Sequence, residues 1–402
     1  MSRQPFLKRV AIENYRSIKA CDVELRPMTF LVGPNGAGKS NFLDALRFVA
    51  DSLRTTLDHA LRDRGGIGEV RRRSAGHSNR FGLRLEFGLA DGRWGHYAFR
   101  IAARKSGGHE IQKEECCLHG LPILSREDYF LVESGRVYSS LSSVPAASPD
   151  RLYLVSASGL KEFRGVYDAL SQMGFYNLNP DRIRDLQSPD AGDVLARDGS
   201  NITSVISRIE RESESHKRRI EEYLSKVVPG VERVSVRVLG PKETLEFRQQ
   251  TAGSKDSWRF QAANMSDGTL RTLGILVAVF QSTKGQRVPL VGIEEPEAAL
   301  HPGAAGILIS GLQEAARSIQ IVVTSHSPDL LDDESIEIDS ILAVQAEGGA
   351  TRIAPIHGPA VSALRDRLYT AGELLRMNQL RPDPKPAPHQ IRLFEPGSSL
   401  PF

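Results

Sequence analysis

Cysteine is scarce: the 402 residues hold three, Cys21, Cys116 and Cys117. They fall into no metal-ligand spacing, and an odd count suits a reducing compartment, the cytoplasm. The adjacent Cys116 and Cys117 read as packed residues of a strand. No apolar run approaches the roughly 20 residues that a membrane span needs. The start "MSRQPFLKRVAIENYRS" lacks the apolar core of a secretory signal. Charge of one sign is also missing, since a net +3 is too small to argue by itself for a nucleic-acid partner. There are no internal repeats and no consecutive heptads, which excludes solenoids and long coiled coils. What remains is a globular chain, 25% charged and 40% hydrophobic, long enough for one large composite domain or two ordinary ones.

Against these absences one stretch stands out, "FLVGPNGAGKSN", residues 30–41. Gly33, Gly38, Lys39 and Ser40 fit G-x-x-x-x-G-K-[ST], a phosphate-binding loop. Glycines let the backbone wrap around phosphates, and successive N–H groups with the following helix N-terminus face the anion. Lys39 would reach the β- and γ-phosphates, and Ser40 would offer its hydroxyl to Mg²⁺. The candidate nucleotide-binding set is Gly33, Pro34, Asn35, Gly36, Ala37, Gly38, Lys39, Ser40 and Asn41. "MTFLVG" predicts a buried strand before the loop, and "KSNFLDALRFVADSL" an amphipathic helix after it. ATP is the expected ligand, with Mg²⁺.

"FLKRVAIENYRSIKACDVELRPMTFLVG" predicts three short strands leading into that loop. Beyond the first helix, "FGLRLEFGL" and the return through Tyr97, Phe99 and Ile101 alternate about an "ADGRWG" turn, a hairpin. Strand-like pieces continue to "YFLVESGRVYSS". Residues 160–228 read as helical, with "VERVSVRVLG" and "ETLEFRQ" as strands after them. The end, "RPDPKPAPHQIRLFEPGSSLPF", is proline-rich and reads as a loosely ordered tail. The expected organisation is a split core, 1–50 with 255–380. An antiparallel β lobe and connector takes 51–155, a mainly helical insertion 156–254, and the tail 381–402.

A phosphate loop needs acids, and "VPLVGIEEPEAALHP" ends an apolar strand in Glu294 and Glu295. Glu294 would hold the Mg²⁺ shell through water, and Glu295 would orient and polarise the attacking water. Two acids buried at a strand end would be costly without a cation. "IQIVVTSHSPDLLD" delivers Ser325, His326 and Ser327 at the end of a second apolar strand. His326 could bond a γ-phosphate or the attacking water. In "NMSDGTLRTLGILVAVF" Ser266, Asp267 and Gly268 precede an apolar helix, so Ser266 reads as its N-cap. Such a helix end is also a second phosphate-binding end, which a chain with one loop would offer to the nucleotide of another subunit.

The order of "GPNGAGKSN", "MSDGTLRTL", "GIEEPEAALHP" and "VVTSHSPDLL" resembles the ATP-binding-cassette ATPases of the RecF and SMC type. It is most similar to the stand-alone bacterial branch related to the overcoming-lysogenization-defect nucleases. The likeness covers roughly residues 5–50 and 255–380. It implies an α/β P-loop NTPase of ABC/RecF type: a mixed sheet core, an antiparallel β lobe and an inserted, mainly helical subdomain. It further implies that Glu295 is the catalytic glutamate and His326 the switch histidine. Ser266 to Gly268 would be the signature acting in trans, and Ala298 to His301 the loop crossing a dimer interface. Arg16 in "NYRSI" would lie near the nucleotide. Glu294 stands where transporter cassettes carry aspartate, no metal-shell glutamine can be placed, and the middle segment is neither a transporter's helical subdomain nor an SMC arm.

The resemblance implies an ATP-driven homodimer that acts as a switch on DNA or on a separately encoded nuclease or toxin-type effector, in genome maintenance or anti-phage defence, with no membrane. A transporter ATPase subunit is a second reading, disfavoured by "EEPEAALHP". A nuclease in its own right is a third, disfavoured because only about 75 residues follow "SHSPDLL", a proline-rich tail among them, and no acidic cluster there suggests a two-metal site. Arg71, Arg72, Arg73 and Arg80 form a basic run that reads either as a solvated loop or as DNA-phosphate contacts.

Overall fold

The computed structural model describes residues 5–73, 79–120, 127–250, 256–283, 286–298, 300–384 and 392–394. The first strands are β1 (Leu7–Tyr15), β2 (Ile18–Glu24) and β3 (Met28–Val32), which leads through the glycine loop into helix α1 (Lys39–Arg54). Short helices α2 (Leu57–Arg62) and α3 (Ile67–Val70) precede β4 (Arg80–Gly88), β5 (Trp94–Ala103), β6 (His109–His119), β7 (Glu127–Glu133) and β8 (Arg136–Ser139). Then come α4 (Tyr153–Ala157), α5 (Lys161–Ser171), β9 (Gly174–Tyr176), α6 (Pro180–Arg184), α7 (Ile202–Glu212) and α8 (Glu214–Val227). Strands β10 (Val231–Leu239), β11 (Lys242–Gln249) and β12 (Trp258–Gln261) lead to α9 (Asp267–Phe280). The remainder is β13 (Ser282–Thr283), β14 (Gln286–Arg287), β15 (Leu290–Glu294), α10 (Pro302–Ala316), β16 (Gln320–Ser325) and α11 (Pro328–Leu331). The last elements are β17 (Ile341–Glu347), β18 (Ala350–Pro355), α12 (Gly358–Arg365) and α13 (Ala371–Arg376).

The chain forms two compact units. One takes Gly174–Glu337 and Arg367–Met377; the other takes the chain up to Met173, Ile338–Asp366 and the segment from Asn378. In the latter the strand order is β8-β7-β6-β5-β4-β1-β2-β18-β17-β3. Pairing is antiparallel from β8 to β2, while β2–β18 and β3–β17 are parallel, so the sheet is mixed. Alternation explains the core: Phe81, Leu83, Leu85 and Phe87 of β4 and Tyr97, Phe99 and Ile101 of β5 are all buried. Phe48 of α1 packs edge-on against Phe81, with ring centroids 5.5 Å apart, and Phe81 meets Tyr15 at 5.7 Å. These contacts seat the helix that follows the phosphate loop.

The other unit holds the parallel run β9-β15-β16 and the antiparallel sheet β10-β11-β12. Helix α9 is apolar almost all round and buried from Leu270 to Phe280 except at Arg271. The helical reading of residues 160–228 covers α5 to α8, but β9 lies inside it. Its three residues, Gly174–Tyr176, are too few to show a period. No helix among the described residues is long and apolar enough to cross a membrane.

Most of the expected loose tail lies outside the described residues, but Arg392–Phe394 correct that reading. Leu393 is buried beside Ala11, its carbonyl accepts from Arg84 at 3.2 Å, and Phe394 lies against Arg100 and Lys113. The apolar pair in "IRLFEP" finds a hydrophobic strip on the sheet, and burial outweighs the proline-rich context.

Glu114 of β6 is wholly buried and does a cap's work for α4, whose own N-cap, Leu152, offers no side-chain acceptor. Its carboxylate accepts from the Tyr153 and Leu154 backbone N–H groups at 2.6 and 2.9 Å and from the Tyr97 hydroxyl at 2.9 Å. Burial pushes its pKa from the ordinary 4.5 up to about 7, although those donors pull it down. The folded state therefore binds this proton more tightly than the unfolded chain. The contribution is complete below the ordinary carboxylate value and is lost as pH rises through about 7, a loss of about 3 kcal/mol. Glu114→Gln should flatten that slope. Urea unfolding of both proteins from pH 5 to 8 checks it, and an unchanged slope in the variant would assign the titration elsewhere.

Candidate functional site

In the unit built on the mixed sheet, β3 ends at Val32 and the chain turns through Gly33 to Gly38 into α1. The glycines are sterically required at two points. A Cβ on Gly33 would lie 2.0 Å from the Val344 carbonyl oxygen, and one on Gly38 would lie 2.0 Å from the Thr351 hydroxyl. Gly38 also has φ 102°, in the left-handed region that favours glycine. It is the N-cap residue of α1, and no side chain caps the helix. The first turn carries no acid. A 16-residue helix thus presents its positive end bare, with Lys39 as its first residue. The buried Lys39 ammonium donates to the Gly33 and Pro34 carbonyls at 2.8 and 3.1 Å, so it reaches back across the loop it begins from. Pro34, Asn35, Gly36 and Ser40 are exposed, and Ala37 is buried.

A chain of hydroxyls braces the loop from below. Thr351 of β18 donates to the Ala37 carbonyl at 2.9 Å and shares a 2.6 Å bond with Ser17, which accepts from the Asn41 amide at 2.6 Å. Asn41 therefore spends its amide on Ser17. Arg16, in the same hairpin tip with φ 47°, pairs with Asp44 of α1 at 3.0 Å. Asp44 also accepts from Tyr15 at 2.8 Å and from Arg64 at 3.1 Å, which ties the helix to the hairpin. The basic run is largely committed as well. Arg72 donates to the Ser17 and Gly349 carbonyls at 2.8 and 3.2 Å, and Arg73 pairs with Glu69. Arg71 sits in an isolated bridge to Tyr15, and Arg80 begins β4.

The other unit carries the acids. Parallel pairing of β15 with β16 sets Glu294 beside Thr324 and brings the two strand ends level. Glu295 follows with φ 46°, a left-handed conformation unusual for glutamate, and its N–H donates to the Thr324 carbonyl at 2.9 Å. Its carboxylate lies 3.2 Å from His326 Nδ1. Glu294 pairs with Arg197 at 2.7 Å. The two acids are not both buried and unpaired, contrary to the expectation from the sequence. Glu295 is more than a third exposed and Glu294 has a cationic partner, so desolvation alone does not demand a metal.

Ser266 caps α9 as its position suggests, accepting from the Thr269 N–H at 3.2 Å. Arg184 of α6 braces that end through the Asp267 carboxylate at 2.5 Å and the Met265 carbonyl at 3.2 Å. Ser266 and Asp267 are exposed, and Gly268 is half-buried. Ala299 of the loop Ala298 to His301 lies outside the described residues. His301 caps α10, accepting from the Gly303 N–H at 3.2 Å.

Two family models match this chain, one described as "AAA ATPase domain" over residues 6–87 and one as "AAA domain, putative AbiEii toxin, Type IV TA system" over residues 145–332. The DNA replication and repair protein RecF of Vibrio vulnificus is 51% identical over 41 residues, 10% of this chain and 11% of RecF. The OLD nuclease of Thermus scotoductus is 46% identical over 43 residues, 11% of this chain and 8% of the nuclease. The matched stretches thus span about a tenth of those relatives' lengths. A solved SMC head, bound to the C-winged helix domain of ScpA, aligns with a TM-score of 0.55 at 15% identity. That alignment covers 89% of this chain and 99% of the head. The chain is RecF/SMC-like, with the fold of an ATP-binding cassette.

Three further residues of this RecF/SMC-like chain bear on the acids. Glu297 Oε1 accepts from the Ser325 hydroxyl at 2.7 Å and from the His326 N–H at 3.3 Å, so it clamps the histidine's strand end. Its Oε2 is buried with no hydrogen-bond partner among the described residues, an acceptor of the kind a metal-bound water satisfies. Arg271 is half-buried on α9. Burial lowers its pKa, while the charges of Glu295, Glu297 and Glu294 raise it. Arg197 is the third. The motif "EEPE" contains Glu297 in plain view, but its role depends on a partner 28 residues away. Arg197 pairs across 97 residues, a distance at which no local spacing gives a signal.

Proposed function

We propose that this chain binds and hydrolyses ATP as a cytoplasmic homodimeric switch. Its output would be DNA or a separately encoded nuclease or toxin-type effector, in genome maintenance or anti-phage defence. The observation that carries the nucleotide reading is the bare N-terminus of α1 with the buried Lys39 ammonium folded over glycines that no other residue could replace. Lys39 and the loop N–H groups would hold the triphosphate, and Ser40 and Glu294 would hold Mg²⁺, which neutralises charge on the β- and γ-phosphate oxygens when bound. Glu295 would polarise the attacking water, with His326 positioned by Glu297 beside it.

The dimer reading rests on redundancy. The loop receives one nucleotide, and the braced, exposed end of α9 at Ser266 to Gly268 is left to receive the partner's. The effector reading rests on the relatives: a RecF and an OLD nuclease, a family description naming a toxin, and an SMC head solved with a piece of ScpA. Because Arg72 is spent on the Ser17 and Gly349 carbonyls and Arg73 already faces Glu69 in an exposed pair, the basic run adds little to the DNA reading.

Ser266→Arg tests the composite site. The variant should bind ATP normally and lose turnover by about 10- to 100-fold, since bulk would stand where the partner's phosphates belong and the serine's hydrogen bonding there would be lost. Mixing it with Lys39→Ala creates heterodimers in which the two defects share one site and leave the other intact. Partial activity should return on mixing. A wild-type rate from Ser266→Arg alone, independent of protein concentration, would end the composite-site reading.

A further inference from the structure

Cysteine scarcity hides a cluster that only the strand register reveals. Cys117 and His119 are alternate residues of β6, so their side chains share a face of the sheet. The antiparallel pairing with β7 sets His119 directly opposite Glu127 and leaves Cys117 on the diagonal. One ligand atom from each of the three residues lies within 4.8 Å of the others. Cys117 Sγ is 3.7 Å from His119 Nε2 and 2.7 Å from Glu127 Oε1, and His119 Nδ1 is 3.8 Å from the same carboxylate. On its other side the His119 ring stacks on Trp94 of β5, with centroids 4.0 Å apart. The indole fixes the plane of the imidazole.

From this geometry we infer that Cys117, His119 and Glu127 form a binding site for a thiophilic divalent cation of the zinc class. A thiolate, an imidazole and a carboxylate together suit zinc better than magnesium or calcium, which favour all-oxygen shells. Bond lengths of about 2.0 to 2.3 Å at tetrahedral angles place ligand atoms roughly 3.3 to 3.8 Å apart. The sulfur–nitrogen separation already meets that spacing. The sulfur–carboxylate distance must open by about 1 Å, which the exposed Glu127 side chain can supply by a change of rotamer. Three protein ligands leave a fourth position for water. Binding releases the thiol proton, so affinity falls with falling pH. The site clips β6 to β7 at one end, with Trp94 of β5 stacked on its imidazole, far in sequence from the phosphate loop, and serves the strand ends rather than hydrolysis.

Cobalt(II) is the probe, because a cysteine ligand gives a sulfur-to-cobalt charge-transfer band that oxygen and nitrogen ligands do not. Titration of the purified full chain should saturate at one cobalt per chain, and added zinc should bleach the band. Cys117→Ser should abolish the band. His119→Ala, a change at a partly exposed side chain that leaves the thiol in place, should weaken cobalt binding at least 10-fold. Glu127→Gln should weaken it less. Zinc should raise the melting temperature of the wild type but not of Cys117→Ser. No band at one equivalent of cobalt, or the same band and affinity in His119→Ala, would overturn the site.

Discussion

Glu295→Gln is expected to keep ATP and lose turnover by about 10³-fold. The amide preserves shape and hydrogen-bonding reach but removes the charge that draws a proton from water as the γ-phosphate departs. The backbone supports such a selective effect. Glu295 is held in its left-handed conformation by its own N–H bond to the Thr324 carbonyl, and the side chain takes no part in that bond. Gln can adopt the same conformation at similar cost. Its contact with His326 Nδ1, 3.2 Å in the native chain, would survive as a neutral hydrogen bond. Single-turnover measurement with labelled ATP separates binding from chemistry. Hydrolysis at the wild-type rate would remove Glu295 from the role of water-activating acid.

Lys39→Ala should cost at least 100-fold in ATP affinity. The native ammonium is buried and satisfied by the Gly33 and Pro34 carbonyls, so it is already aimed at the interior of its own loop. Triphosphate entry would exchange those carbonyl contacts for charged phosphate oxygens, a stronger partner in a partly desolvated place. Alanine leaves the two carbonyls without this donor and the phosphates without the cation. The fold should tolerate the change, because α1 is seated by Phe48 against Phe81 and by Asp44 against Tyr15 and Arg64. Titration with a fluorescent ATP analogue, alongside a melting curve, distinguishes lost binding from lost structure. Native affinity in a folded variant would place the nucleotide elsewhere.

The parts of this molecule legible in its sequence are those whose physics is local. Strand, glycine loop and helix follow one another within residues 28–54, and each carries its own signal: a short buried apolar run, forced left-handed glycine, amphipathic spacing. The hairpin of β4 and β5 is equally plain, since Phe81 to Phe87 and Tyr97 to Ile101 alternate about Asp91–Gly92. Ser266 as a cap follows from four consecutive residues. The rest depends on pairs that meet through the fold. Thr351 supports a loop more than 300 residues earlier, and Glu297 steers His326 through Ser325. The cluster of Cys117, His119 and Glu127 exists only because β6 and β7 pair in one register of several. The burial expected of the two acids fails for a related reason. Their exposure and the Arg197 partner are set by chain far from "GIEEPE".

ATP should close two copies of this chain on each other, and the mass of Glu295→Gln in solution reads that closure. Sedimentation equilibrium with Mg²⁺ should give the monomer mass without nucleotide and twice that mass with ATP. The shift should be absent when Ser266→Arg is added to the same chain. A monomer at saturating ATP, or a dimer whose stability ignores ATP, would mean that nucleotide does not close the pair.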